Sequence, residues 1–94
     1  MKILVVEDEK DLSQSLSEYL EISGHRCEMA YDFNTADDKT AVYEYDCILL
    51  DINLPDGSGL DLIEPVKKRN PQTGIIIISA RDGVEDRVKG LEKG

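Results

Sequence analysis

The segment Cys47-Ile48-Leu49-Leu50-Asp51-Ile52-Asn53-Leu54-Pro55-Asp56-Gly57-Ser58-Gly59 decides how the chain is read. Its first four residues form a continuous apolar run that ends in an acid, the pattern of a parallel strand covered on both faces. Leu54 to Gly59 is dense in turn formers, so the chain is expected to bend sharply just after Asp51. A carboxylate at the carboxyl end of a buried strand, beside a tight turn, is the feature to explain.

Working outward, Ile3-Leu4-Val5-Val6 is a second run of this kind, closed by Glu7-Asp8, and Ile75-Ile76-Ile77-Ile78 is a third, followed by Ser79. Arg26 to Tyr31 alternates weakly and reads as a peripheral strand. Asp11 to Glu21 carries Leu12, Leu16, Tyr19 and Leu20 at spacings that predict one apolar helical face, with Gly24 as its C-cap. Asn34 to Tyr43 predicts a weaker helix with Ala36, Ala41 and Val42 on its shallow buried side. Gly59 to Arg69 predicts another, on Leu60, Ile63 and Val66, although Pro65 inside it should remove a hydrogen bond and kink it. Asn70-Pro71 ends that helix. Asp82 and Glu85 make a capping box for a last helix with Val84, Val88 and Leu91 on one face.

Strand and helix signals thus alternate four times, which implies an α/β fold with a parallel sheet and right-handed crossovers. Such sheets bind ligands outside the carboxyl ends of their strands. Glu7-Asp8, Asp51 and Ser79 are the residues at those ends.

Ninety-four residues with 40% apolar content suit one small domain. Twenty acidic against eleven basic residues give a net charge of -9, which repels phosphate backbones and argues against direct nucleic-acid binding. Cys27 and Cys47 have neither a C-x-x-C spacing nor neighbouring histidines, and read as small buried thiols of a reducing compartment. The apolar run after Met1-Lys2 is too short for a signal peptide or a membrane span, so a cytoplasmic location is expected. His25, in a Gly24-His25-Arg26 turn, reads as a loop residue.

Three carboxylates at one sheet edge repel one another and raise each other's pKa values unless a cation joins them. Hard oxygen ligands with open positions suit Mg2+ in a site that handles phosphoryl groups. A carboxylate is also a competent phosphoryl acceptor, and Asp51 is the best placed. The Ser79 hydroxyl and the backbone around Ala80 would then bind the oxygens of the transferred group. The bland alternative is that these acids are simply solvated surface; the second acidic locus ahead of a Pro-Asp-Gly turn argues against it.

The set V-V-E-D at 5–8, D-I-N-L-P-D-G-S-G at 51–59 and I-I-S-A-R at 77–81 resembles the receiver domain of two-component response regulators, from Lys2 to Gly94. The resemblance implies a flavodoxin-like doubly wound parallel sheet, here truncated to four strands in the order 2-1-3-4 with about four helices, forming one receiver domain over 1–94. It implies phosphorylation of Asp51 by a sensor histidine kinase, Mg2+ held by the carboxylates of Asp8 and Asp51, by Glu7 through water and by the backbone carbonyl of Asn53, and Ser79 as the switch hydroxyl. Residues 80–94 are similar to the OmpR/PhoB winged-helix transcription-factor class, so DNA would be reached only through a separate effector domain.

Receivers of this type continue into a fifth strand, which carries a lysine and an aromatic, and a fifth helix. Their absence from the 94 residues implies slower phosphorylation. It also implies an exposed fourth strand and fourth helix that favour a homodimer or larger self-assembly, weakened by a charge at Ile77. Two other classes stay open at this point. Aspartate-nucleophile phosphatases resemble the site but place a second acid where this chain has Asn53, and a non-signalling fragment would carry the acids without using them.

Overall fold

The computed structural model describes residues 1–78, and the site residue Ser79, Ala80 and the helix expected from Asp82 onward lie outside the described residues. The described elements are β1 (Lys2–Val6), α1 (Lys10–Ile22), β2 (Arg26–Ala30), α2 (Phe33–Val42), β3 (Cys47–Asp51), β4 (Asn53–Leu54), β5 (Gly57–Ser58), a 3-10 turn (Gly59–Leu62), α3 (Ile63–Arg69) and β6 (Gly74–Ile78). β1, β2, β3 and β6 form one parallel sheet in the order β2-β1-β3-β6, the expected order with β6 as its fourth strand. β4 and β5 pair as a two-residue antiparallel hairpin where only a turn was expected.

β1, inside the sheet, is buried on both faces, which is why it reads as an unbroken apolar run. Leu4, Val6, Ile48 and Leu50 point into the main core with Leu62 and Val66. Ile3 and Val5 alternate onto the opposite face and are also buried. Tyr45 and Thr73, which carry no sequence signal of their own, are buried at the start of β3 and β6 and joined by the Thr73 hydroxyl donating to the Tyr45 carbonyl at 2.8 Å.

The helices depart from expectation in instructive ways. On α1 the buried residues are Ser13 and Ser17, with Leu12, Leu16 and Leu20 half-buried along one side of them and Tyr19 70% exposed. Serines four residues apart let the helix axis approach the sheet more closely than leucines would, so the leucines flank the contact instead of making it. Gly24 does end α1, at φ 97°, with its N–H donating to the Glu21 carbonyl and that of His25 to the Leu20 carbonyl, a Schellman arrangement.

α2 begins one residue earlier than expected because the Asp32 carboxylate caps it, accepting from the Thr35 N–H at 2.7 Å. Pro65 stands as the third residue of α3. The helix expected over 59–69 is split into the 3-10 turn and an α3 that starts at Ile63, so Pro65 stands in the first turn of α3, where proline is better tolerated than in a helix interior. Cys27 and Cys47 are half-buried free thiols, and burial pushes the pKa of both upward. Among the described residues no helix is long and apolar enough to cross a membrane.

Candidate acidic metal and phosphoryl site

The parallel sheet carries two of its inner strands to the same edge, and their terminal acids meet there. Glu7 directly follows β1, where its N–H continues the ladder to the Ala30 carbonyl at 3.0 Å, and Asp51 is the last residue of β3, in register with Ile78 of β6. Glu7, Asp8 and Asp51 each bring a carboxylate oxygen within 4.8 Å of the other two. Glu7 and Asp51 are fully buried and Asp8 is half-buried.

Ionised carboxylates only accept hydrogen bonds, and both Glu7 oxygens and Oδ2 of Asp51 lack a well-formed bond from a protein donor, the Glu9 backbone exerting only a minor pull on Glu7. Leaving such groups buried is costly, so the site calls for a proton or a cation. Without a cation the proton goes to Glu7, whose pKa is pushed up to about 8, first by burial, then by hydrogen bonding to and the charge of Asp51, then by Asp8. The donor set is all oxygen, the partially desolvated charge is strongly negative, and no cysteine or histidine joins it. A hard divalent cation fits these residues.

The loop after β3 completes the site. The Asn53 N–H donates to Oδ1 of Asp51 at 3.2 Å, fixing the rotation of that carboxylate. The chain then turns through the hairpin and returns so closely that the Gly59 N–H donates to the Ile52 carbonyl at 2.8 Å. A side chain at Gly59 would overlap the backbone carbonyl of Asp51, a requirement invisible in the turn composition that marked this stretch. At the hairpin's turn, Asp56 accepts from the Phe33 and Asn34 N–H groups of α2. Sequence reasoning missed this role, since no local pattern links residues more than twenty positions apart.

Glu7, Asp8 and Asp51 therefore come together, Asn53 meets Asp51 through its backbone N–H, and Ser79 lies outside the described residues. Comparison with known proteins bears on the family and the fold. The family model described as response regulator receiver domain matches residues 3–94. The transcriptional regulatory protein PmrA of Pectobacterium parmentieri is 40% identical over 94 residues, which cover 100% of this chain and 42% of PmrA. Among solved structures, the receiver domain of the Francisella response regulator 1452 superposes with a TM-score of 0.81 at 32% identity, covering 99% of this chain and 77% of that one. The response regulator protein TrrA of Thermotoga maritima, solved in complex with Mg2+-BeF, gives 0.82 at 31% identity over 93% of this chain and 74% of that one.

Proposed function

The chain belongs to the family of response regulator receiver domains, and we propose that it accepts a phosphoryl group from a sensor histidine kinase on Asp51, with Mg2+ held by Glu7, Asp8, Asp51 and the backbone carbonyl of Asn53. The observation that carries this reading is the buried Asp51 carboxylate facing two further acids, with oxygens of Glu7 and Asp51 that no protein donor satisfies. The Mg2+-BeF bound by TrrA supports the choice of cation.

In the transfer, a carboxylate oxygen of Asp51 attacks phosphorus while the bond from phosphorus to the kinase's imidazole nitrogen breaks. The electron pair returns to that imidazole, and an acyl phosphate is left on Asp51. Bound Mg2+ supplies charge neutralisation for the carboxylates and the incoming phosphoryl oxygens. Asn53 holds the acceptor carboxylate in one orientation, and Ser79 serves as the hydroxyl that senses the new group. The domain acts as a signalling acceptor in the cytoplasm, without turnover beyond its own slow loss of phosphate. The chain spans 42% of PmrA, whose name as a transcriptional regulator supports an output on DNA through a separate effector domain. The test is calorimetric: Asp8→Ala should bind Mg2+ at least about tenfold more weakly than wild type, or about 1.4 kcal/mol. Equal affinities would remove Asp8 from the metal site.

Self-association belongs to the same proposal. β6 pairs with β3 on one side and has no strand on its other side among the described residues, and Ile76 there is 51% exposed. Unpaired strand edges with apolar side chains recruit further strands. Ile76, which is more exposed than Ile77, is the position to charge. Ile76→Lys should shift the 94-residue protein towards monomer in sedimentation, and a wild type that is monomeric at high concentration would refute the self-association.

A further inference from the structure

Asp56 is exposed, yet both of its carboxylate oxygens are engaged: Oδ1 accepts from the Phe33 N–H at 2.6 Å and Oδ2 from the Asn34 N–H at 3.0 Å. These are the first two N–H groups of α2, and the third, from Thr35, goes to the Asp32 carboxylate. Two carboxylates from different segments thus close one helix end, whose N–H groups have no intrahelical acceptors. Asp32 is a local cap. Asp56 comes from the hairpin, more than twenty residues further along the chain.

The hairpin is a short lever between α2 and Asp51. Asn53 pairs with Ser58 and Leu54 with Gly57, so the two arms move together. One end carries the Asn53 N–H that holds Oδ1 of Asp51, and the turn carries Asp56. A side chain added at Gly57 would meet Phe33 at 3.7 Å, which places the hairpin beside the same helix end that Asp56 bonds. The two backbone donors, Asn34 first and Phe33 second, hold the Asp56 carboxyl below its usual range, so it stays ionised and able to accept both bonds.

We infer that Asp56 is a positioning residue for the phosphoryl-accepting site: by clasping the amino end of α2 it holds the β4–β5 hairpin, and with it the Asn53 backbone, against Asp51. The inference rests on the reading of Asp51 as acceptor and metal ligand. A residue that merely stabilised α2 would affect the whole protein's stability and nothing at Asn53.

The experiment compares Asp56→Ala with Asp32→Ala, which removes a cap from the same helix end without touching the hairpin. In the metal-free protein, Asp56→Ala should speed amide exchange at Asn53 by about tenfold through local opening, while Asp32→Ala leaves it at the wild-type rate. Calorimetry should show Mg2+ affinity about tenfold weaker in Asp56→Ala and unchanged in Asp32→Ala, the size of effect expected when a group that orients a metal's ligands is lost. Asp56→Asn, which keeps one acceptor oxygen and folds more readily, should fall between wild type and alanine. Wild-type exchange at Asn53 in Asp56→Ala, or equal effects of the two alanine variants, would overturn the clasp. Failure of the wild-type protein to bind Mg2+ would overturn the metal-site reading instead, while the exchange rates would still decide the clasp.

Discussion

Asp51→Asn is expected to take up no phosphoryl label from a small phosphodonor with Mg2+, under conditions where the wild-type protein forms a label stable in mild acid and lost in mild base. The amide has the carboxylate's shape and lacks its nucleophilic oxygen, so the chemistry stops while the fold persists. The same substitution should raise stability in the metal-free protein near pH 8. Glu7 has a folded-state pKa of about 8, above the ordinary 4.5 of an exposed glutamate, so between those values the folded protein binds more protons than the unfolded chain. Wild-type stability therefore falls as pH rises from about 4.5 to about 8. Burial, the first cause of the shift, remains in Asp51→Asn, while the charge of Asp51 is gone, so the fall becomes shallower. At pH 8 the variant should be more stable than wild type by about 1–2 kcal/mol. A label that persists in Asp51→Asn would exclude Asp51 as acceptor, and a pH dependence of stability identical to wild type would exclude the coupling to Glu7.

Gly59→Ala should be the most damaging small change in the described residues. A methyl group there would overlap the Asp51 carbonyl oxygen and sit 3.0 Å from the Asp51 carbonyl carbon and 3.1 Å from Cδ1 of Leu50. The first two are backbone of a buried inner strand and cannot swing aside. Relief requires the loop or the end of β3 to move, at a cost of about 3 kcal/mol, the upper part of the range for overpacking. For a chain of this size that lowers the melting temperature by roughly 12–24 °C. Displacement of Asp51 should weaken Mg2+ binding as well. Gly57→Ala is the matched control, because its methyl meets only Phe33 side-chain atoms at 3.7–3.9 Å, ordinary contact distances. The control should melt within a few degrees of wild type. Similar melting temperatures for the two variants would show that the close approach of Gly59 to Asp51 is not what makes glycine necessary there.

The four main strands, their parallel sense and the gathering of Glu7, Asp8 and Asp51 were legible in the residues themselves, while the strand order followed only from the family resemblance. Strands buried on both faces must be apolar throughout, and the acids that interrupt those runs mark their carboxyl ends, which a parallel sheet brings to one edge. The buried face of α1 was legible only in part: Leu12, Leu16 and Leu20 border it, while Tyr19 lies outside it and the most buried residues are serines. Leu12, Leu16 and Leu20 present the stronger apolar signal, but Ser13 and Ser17 are the more buried, because periodicity records polarity and not how close a small side chain can sit to the sheet. Where Pro65 falls in its helix was likewise not legible: the 3-10 turn divides the expected helix and moves the start of α3 to Ile63. Sequence by itself thus determined the fold class and the acids of the site, since burial and chain direction follow from local patterns. Only the tertiary structure decided that Asp56 closes the end of α2 and that Gly59 lies against the Asp51 carbonyl, because both depend on distances between segments that packing brings together.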